Sequence, residues 1–317
     1  MKWIQNIKNS DRNLSEVSIN KYITDYNILS KGYNGKIVNT LTWLKNSEKV
    51  MEFININGNK KNRLTSILTI LSPAGKDKPK PRYKAAYNIY KKELFEFNLA
   101  YKNNANNKNI KEEKNWITFD EILKFRAELE KPFLDFRDSD ITHKKQKDLQ
   151  RLLILSLYTL LPPRRLEYAL TKVISYNVFK RYEKKNPALI DNNVYLVIKS
   201  KNKKFFSYGH LIVKSKNSNI NTQVEVPPKL NYILNIHLDY HHEQYLLFQF
   251  NRVHEPMSMV SLCKALSSLF VKKFNKKISC NMLRKIYITN KTISIKKLAQ
   301  DMNHTVSVQQ NIYLKED

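Results

Sequence analysis

The sequence predicts a mainly α-helical protein with one small antiparallel β-sheet, an α+β chain built as two domains. Three observations carry that expectation. Apolar residues recur at helical spacing from Ser15 to about Asn103. A polar stretch, "KNNANNKNIKEEKN" (residues 102–115), then interrupts the pattern. Three short runs rich in β-branched and aromatic residues follow between 193 and 226, set among further helical segments.

Residues 1–14 form an N-terminal extension. Four helices are expected after it: "VSINKYITDYNIL", "GKIVNTLTWLKNSEKVMEFI", "NRLTSILTIL" and "YKAAYNIYKKELFEFNLAY". The Pro- and Lys-rich "SPAGKDKPKPR" joins the last two. Its "AGK" lacks the first glycine and the hydroxyl residue of a phosphate-binding loop. The first domain therefore covers 15–103, with a linker at 104–115 and a second domain at 116–317.

In the second domain "WITFDEILKFRAELEK" starts a helix with Thr118 placed to cap it. "DLQRLLILSLYTLL" is apolar on nearly every side and predicts a core helix. The strands are "NVYLVIK" (193–199), "KFFSYGHLIVK" (204–214) and "TQVEV" (222–226). Helices resume at "KLNYILNIHLDYHH", "SMVSLCKALSSLFVKKF", "NMLRKIYIT", "SIKKLAQDM" and "SVQQNIYLK".

Charge points to a partner. The 56 Lys and Arg against 28 Asp and Glu give a formal net charge of +28. A field of that sign attracts polyanions, foremost nucleic acid. Clusters such as "KSKNKK" (199–204) and "VKKFNKK" (271–277) are expected to contact phosphates. Two cysteines, Cys263 and Cys280, make neither a disulfide framework nor a zinc pattern. No apolar run is long enough for a membrane span and the N-terminus lacks an apolar leader, so a soluble, intracellular protein that acts where its nucleic-acid partner resides is expected.

Three motifs could carry chemistry. In "TLLPPRRLEYAL" (159–170) the prolines stop one helix and are suited to the first turn of another, which would set Arg164 and Arg165 at a helix N-terminus where anions bind. In "SCNMLRKIYIT" (279–289) Ser279 can cap a helix on which Asn281 and Arg284 stand three apart. In "MNHTVSVQQNIYLKED" (302–317) His304 sits in a turn, Ser307 and Gln310 form a capping box, and Tyr313 follows His304 by nine positions. Exposed arginines, a solvated basic helix start and a buried terminal tyrosine are the plain structural readings of the same residues.

Taken in order, "RRLE", "NMLR" and "HTVSVQQNIY" resemble the tyrosine recombinase (phage integrase) family. The resemblance covers residues 116–317, and the helical domain before it is similar in size and position to that family's core-binding domain. The "PPRR" start and "KSKNSNINTQVEVP" look most like recombinases of large DNA viruses and their satellite elements.

The resemblance implies roles. Arg164 and Arg284 would hold the scissile phosphate, His304 would add a hydrogen bond, and Tyr313 would be the nucleophile. Lys214, thirteen residues before Pro227, would be the hairpin lysine, with Lys216 the second choice. The family usually has histidine where this chain has Asn281, which can hydrogen-bond but cannot shuttle a proton near neutral pH. The implied partner is double-stranded DNA bound by a homo-tetramer, without cofactor, metal or membrane. A type IB topoisomerase-like enzyme and a DNA-binding protein with a decayed site are the competing readings.

Two other features point elsewhere. His237 and His241 stand at i, i+4, but no third ligand lies near them in sequence, which speaks against a metal site. Tyr168, Tyr176 and Tyr287 are expected in the core or a hairpin rather than as nucleophiles.

Overall fold

A computed structural model describes all residues except 1, 11, 13, 76, 104–106, 135–141, 214–220, 242 and 291–317. The chain divides into two compact units, Met1–Asn104 and Ala105–Asp317.

Unit 1 contains helices α1 (Lys2–Lys8), α2 (Glu16–Asn34), α3 (Ser47–Asn57), α4 (Lys60–Leu71) and α5 (Lys84–Asn103). The expected extension is part of the core here: Trp3 and Ile7 on α1 are buried, and the Trp3 ring lies 4.8 Å from that of Tyr26. The long helix expected over 35–54 forms only in its second half. Residues 36–41 are drawn off by side chains of α2 instead. The Tyr26 hydroxyl bonds the carbonyls of Val38 and Thr40 at 2.7 and 2.9 Å, and Ser30 Oγ accepts from Val38 N–H at 2.9 Å. Asn46 then caps α3 through Lys49 N–H, as a short polar side chain does at a helix start.

Unit 2 begins with α6 (Ile110–Asn115), inside the stretch expected to be linker, and α7 (Phe119–Glu130). Thr118 caps α7 in a full capping box with Glu121. Helix α8 (His143–Leu157) buries every residue from Leu152 to Leu157, which explains its nearly unbroken apolar run. The next elements are β1 (Lys172–Ser175), α9 (Tyr176–Lys185), α10 (Pro187–Asp191), β2 (Val194–Ser200), β3 (Lys203–Tyr208), α11 (His210–Val213) and β4 (Thr222–Glu225). They are followed by α12 (Pro228–Tyr240), the short pair β5 (Phe248–Gln249) and β6 (Arg252–Pro256), α13 (Met259–Phe274) and α14 (Cys280–Asn290).

The sheet has order β1-β2-β3-β4 and is mixed: β2, β3 and β4 pair antiparallel, whereas β1 runs parallel to β2 across the α9–α10 crossover. The antiparallel expectation is corrected by β1, four residues long and too short to leave a period-two signal. The second expected strand, 204–214, ends at Tyr208. There Gly209 packs against the α10 end so closely that a Cβ would meet Asp191 O at 2.3 Å.

Alternation places Val194, Leu196, Phe206 and Tyr208 in the main core with α7, α8, α12, α13 and α14, and Tyr195, Val197 and Phe205 in a smaller core with Phe179 and Ile190. A sheet covered on both faces accounts for the dense β-branched and aromatic runs. Lys204 is buried at the base of β3, where its ammonium donates to Asn231 Oδ1 at 2.8 Å, Asn235 Oδ1 at 2.5 Å and Lys201 O at 2.6 Å. It ties the sheet to α12 and is not the phosphate contact expected of "KSKNKK". Burial lowers its pKa.

Candidate functional site

The end of α8 positions the first motif. Pro162 and Pro163 have no N–H to donate, and the chain after Leu157 turns instead. Thr159 Oγ1 returns to Leu155 O at 2.8 Å, Leu160 N–H to Ser156 O at 2.8 Å, and the Tyr158 hydroxyl donates to Arg165 O. The helix expected to begin at the prolines is absent. Residues 162–166 are irregular, and the first helical residues are a single 3-10 turn, Glu167–Leu170. Arg164 and Arg165 are thus not at an α-helix N-terminus. The physical reason is the hold that Tyr158 and the α8 end take on this backbone.

Arg165 is exposed, whereas Arg164 is buried with its guanidinium 3.6 Å from the centroid of the Tyr208 ring. Tyr208 and Tyr168 meet hydroxyl to hydroxyl at 3.3 Å, and the Tyr168 ring stands edge-on to Tyr158 at 5.5 Å between centroids. Glu167, three residues after Arg164, has Oε2 buried with no hydrogen-bond partner among the described residues.

Helix α14 supplies the second motif. Ser279 caps it, accepting from Met282 N–H at 3.3 Å. Arg284 is 1% exposed, among the largest fully buried side chains. Asn281 is exposed, so the two residues expected three apart on one helix face are split between solvent and core.

Arg164 and Arg284 nevertheless flank one cluster. Burial pushes the Tyr158 phenol well above its usual 10.0, Cys280 and Glu167 add to the rise, and Arg284 opposes it. Burial likewise raises Tyr208 to about 12, with Arg164 opposing and Glu167 reinforcing. Cys280 rises to about 11, first through burial and then through Cys263, again with Arg284 opposing and Glu167 reinforcing. Glu167 therefore shares neighbours with both guanidinium groups. Among the described residues the cluster gathers two guanidinium groups, one carboxylate and three phenols.

Lys214, Lys216, His304 and Tyr313 lie outside the described residues, as do the last two expected helices. The residues on either side of 214–220 are tied together: Asn221 Oδ1 accepts from His210 N–H at 2.8 Å, and Asn221 Nδ2 donates to Asp191 Oδ1 at 2.9 Å.

Tyr168 and Tyr287 are core residues, Tyr287 edge-on to Phe119 at 5.3 Å, and Tyr176 is partly buried against the small core. His237 and His241 spend their Nε2–H groups on Leu246 O and Tyr245 O, at 2.8 and 2.9 Å, within an aromatic stack with Phe248. The described residues contain no group of three side chains able to hold a metal. An open groove of about 600 Å³ between α8, β5–β6 and α13, lined by Arg151, Phe250, Arg252 and Lys264, contains neither Arg164 nor Arg284. No described helix is long and apolar enough to cross a membrane.

The sequence reading missed Lys204 and the α6 contacts. A lysine amid aromatic strand residues was the available signal for the first. No protein family, curated protein or solved structure matches the chain.

Proposed function

We propose that this protein breaks and rejoins DNA strands as a site-specific recombinase of the tyrosine type, working as a tetramer on paired DNA sites without metal. The observation that carries the reading is the position of Arg164 and Arg284. Far apart in sequence, both are buried about the Tyr158–Tyr168–Tyr208 cluster, and Glu167 acts on the same phenols. The net charge of +28 and the resemblance of the three motifs support it.

In this mechanism the Tyr313 phenolate attacks a backbone phosphorus, forming a 3′-phosphotyrosyl bond as the bond to the 5′-oxygen breaks. The leaving oxygen takes a proton from Lys214, or from Lys216 if that is the hairpin lysine. Arg164 and Arg284 stabilise the charge that builds on the non-bridging oxygens, and His304 adds a hydrogen bond there. Attack of a free 5′-hydroxyl on the phosphotyrosyl bond reverses the step and returns the proton. Because the bond energy is kept in the phosphotyrosine, the cycle needs no cofactor. Both guanidinium groups are covered in this structure, so engagement of DNA has to uncover them.

One observation favours a second reading, a DNA-binding protein that no longer cuts: Asn281 replaces a titratable group and is turned to solvent away from buried Arg284. A single experiment separates the two. On a nicked suicide DNA substrate the wild-type chain should form a covalent adduct, and Tyr313→Phe should bind the same DNA without forming it. An adduct that persists in Tyr313→Phe refutes the nucleophile. Binding without any wild-type adduct establishes the second reading. Strand exchange between duplexes, rather than relaxation of a supercoiled one, separates a recombinase from a topoisomerase.

A further inference from the structure

The stretch expected to be a plain linker is fastened to the helix that carries Arg284. Helix α6 is closed by a capping box in which Glu112 Oε2 accepts from Asn109 N–H at 3.1 Å. The other oxygen of the same carboxylate, Oε1, pairs with Lys285 Nζ, and the two side chains are only 12% and 15% exposed. Two further bonds fix the C-terminal end of α6 beside the start of α14. Lys276 Nζ donates to Lys114 O at 2.7 Å, and Lys277 N–H donates to Asn115 Oδ1 at 2.6 Å.

From these contacts, and resting on the function proposed above, we propose that α6 is a positioning strap: the Glu112–Lys285 pair sets where Arg284 stands. Lys285 is the residue next to Arg284, and α14 is rigid over that interval, so displacing one side chain's backbone displaces the other's. One carboxylate serves both the cap of α6 and the anchor of α14, so α6 cannot unwind without releasing α14. A solvated linker would show neither a shared carboxylate nor an ion pair this enclosed.

Glu112→Gln is the discriminating variant, because its amide oxygen keeps the cap of α6 while its charge is lost. Single-turnover cleavage of the suicide substrate at saturating DNA should slow by roughly ten- to a hundredfold, the scale of a small misplacement of a phosphate-holding group. DNA affinity should stay that of wild type. Because the Lys285 ammonium is left enclosed without its carboxylate, the melting temperature should fall, so rates are compared well below both transitions. Lys285→Gln, which leaves Glu112 to cap α6, should slow cleavage to a similar extent. Wild-type cleavage rates in Glu112→Gln or in Lys285→Gln, or a loss seen only in DNA affinity, would each overturn the strap while leaving the recombinase reading in place. A wild-type chain that forms no adduct overturns both.

Discussion

His237 should make unit 2 acid-sensitive over a defined window. The imidazole is fully buried, its Nε2–H donates to Leu246 O at 2.8 Å, and its ring lies parallel to Phe248 with centroids 6.1 Å apart. With Nε2 carrying the hydrogen, Nδ1 faces the interior and has no partner among the described residues. Adding a proton there would place a charge in an apolar site beside His241, so burial lowers the pKa from 6.5 to about 4. The folded pKa lies below the unfolded one, so the unfolded chain binds the extra proton first. Stability is full above pH 6.5, falls as pH drops toward 4, and levels off below that. At about 1.4 kcal/mol per pH unit, the full window is worth about 3 kcal/mol. His237→Gln keeps an N–H for Leu246 O and cannot protonate. Urea unfolding of wild type and variant at several pH values between 7 and 4 should therefore converge or cross, the wild type losing about 3 kcal/mol more than the variant. Comparing the two removes the carboxylates that titrate over the same range. Parallel curves, or a His237 ring proton that titrates near 6.5 by NMR, would refute the reasoning.

Two other perturbations test the packing of unit 2. Glu130 sits between Arg126 at 3.5 Å and Lys229 at 3.3 Å, with its own and the Arg126 side chains only 8% and 7% exposed. Glu130→Ala strands a buried guanidinium and should cost about 3 kcal/mol by urea unfolding, whereas Glu183→Ala, opposite exposed Lys180, should leave the midpoint where it was. Gly209→Ala pushes a methyl onto two backbone carbonyls, Asp191 O at 2.3 Å and Ile190 O at 2.4 Å, which cannot swing away as a side chain would. It should cost about 2 kcal/mol and broaden the NMR signals of residues 190–193 and 207–210; an unchanged midpoint would show that the β3–α10 junction yields.

The helices of this chain were legible wherever a periodic apolar face coincided with a local cap. Thr118 with Glu121, Ser258 before α13 and Ser279 before α14 mark starts that a reader of the sequence places to within a residue. Strands β2 and β4 were legible for a similar reason, since their ends are marked by polar turns. What failed to show were features made by distant side chains. Residues 36–41 carry a helical pattern, yet the Tyr26 hydroxyl and Ser30 Oγ claim their backbone. Strand β1 exists because Val173 N–H and Thr171 O bond to residues 244 and 246 on one side and β2 pairs on the other, a partnership no local window contains. The α6 strap looked like solvent-facing polar chain because its partners, Lys276, Lys277 and Lys285, read as part of a general positive charge. For the described candidate residues, Arg164, Asn281 and Arg284, burial was not legible in the sequence. Nothing in "RRLE" says that the first arginine goes inside and the second stays out.

That burial bears on why the cluster exists. A core shaped for stability alone has no use for two guanidinium groups, because enclosing a cation costs several kcal/mol that a well-packed apolar side chain of similar size does not incur. Unit 2 could fill the same space with leucine, as it does along α8. Instead it encloses Arg164 and Arg284 near phenols whose own ionisation is suppressed by burial. Both guanidinium groups are enclosed at the junction of α8, the sheet and α14. Local rules are broken in folded proteins chiefly where function requires it. On the function proposed above, Arg164 and Arg284 are the groups of this +28 chain that would meet a DNA phosphate.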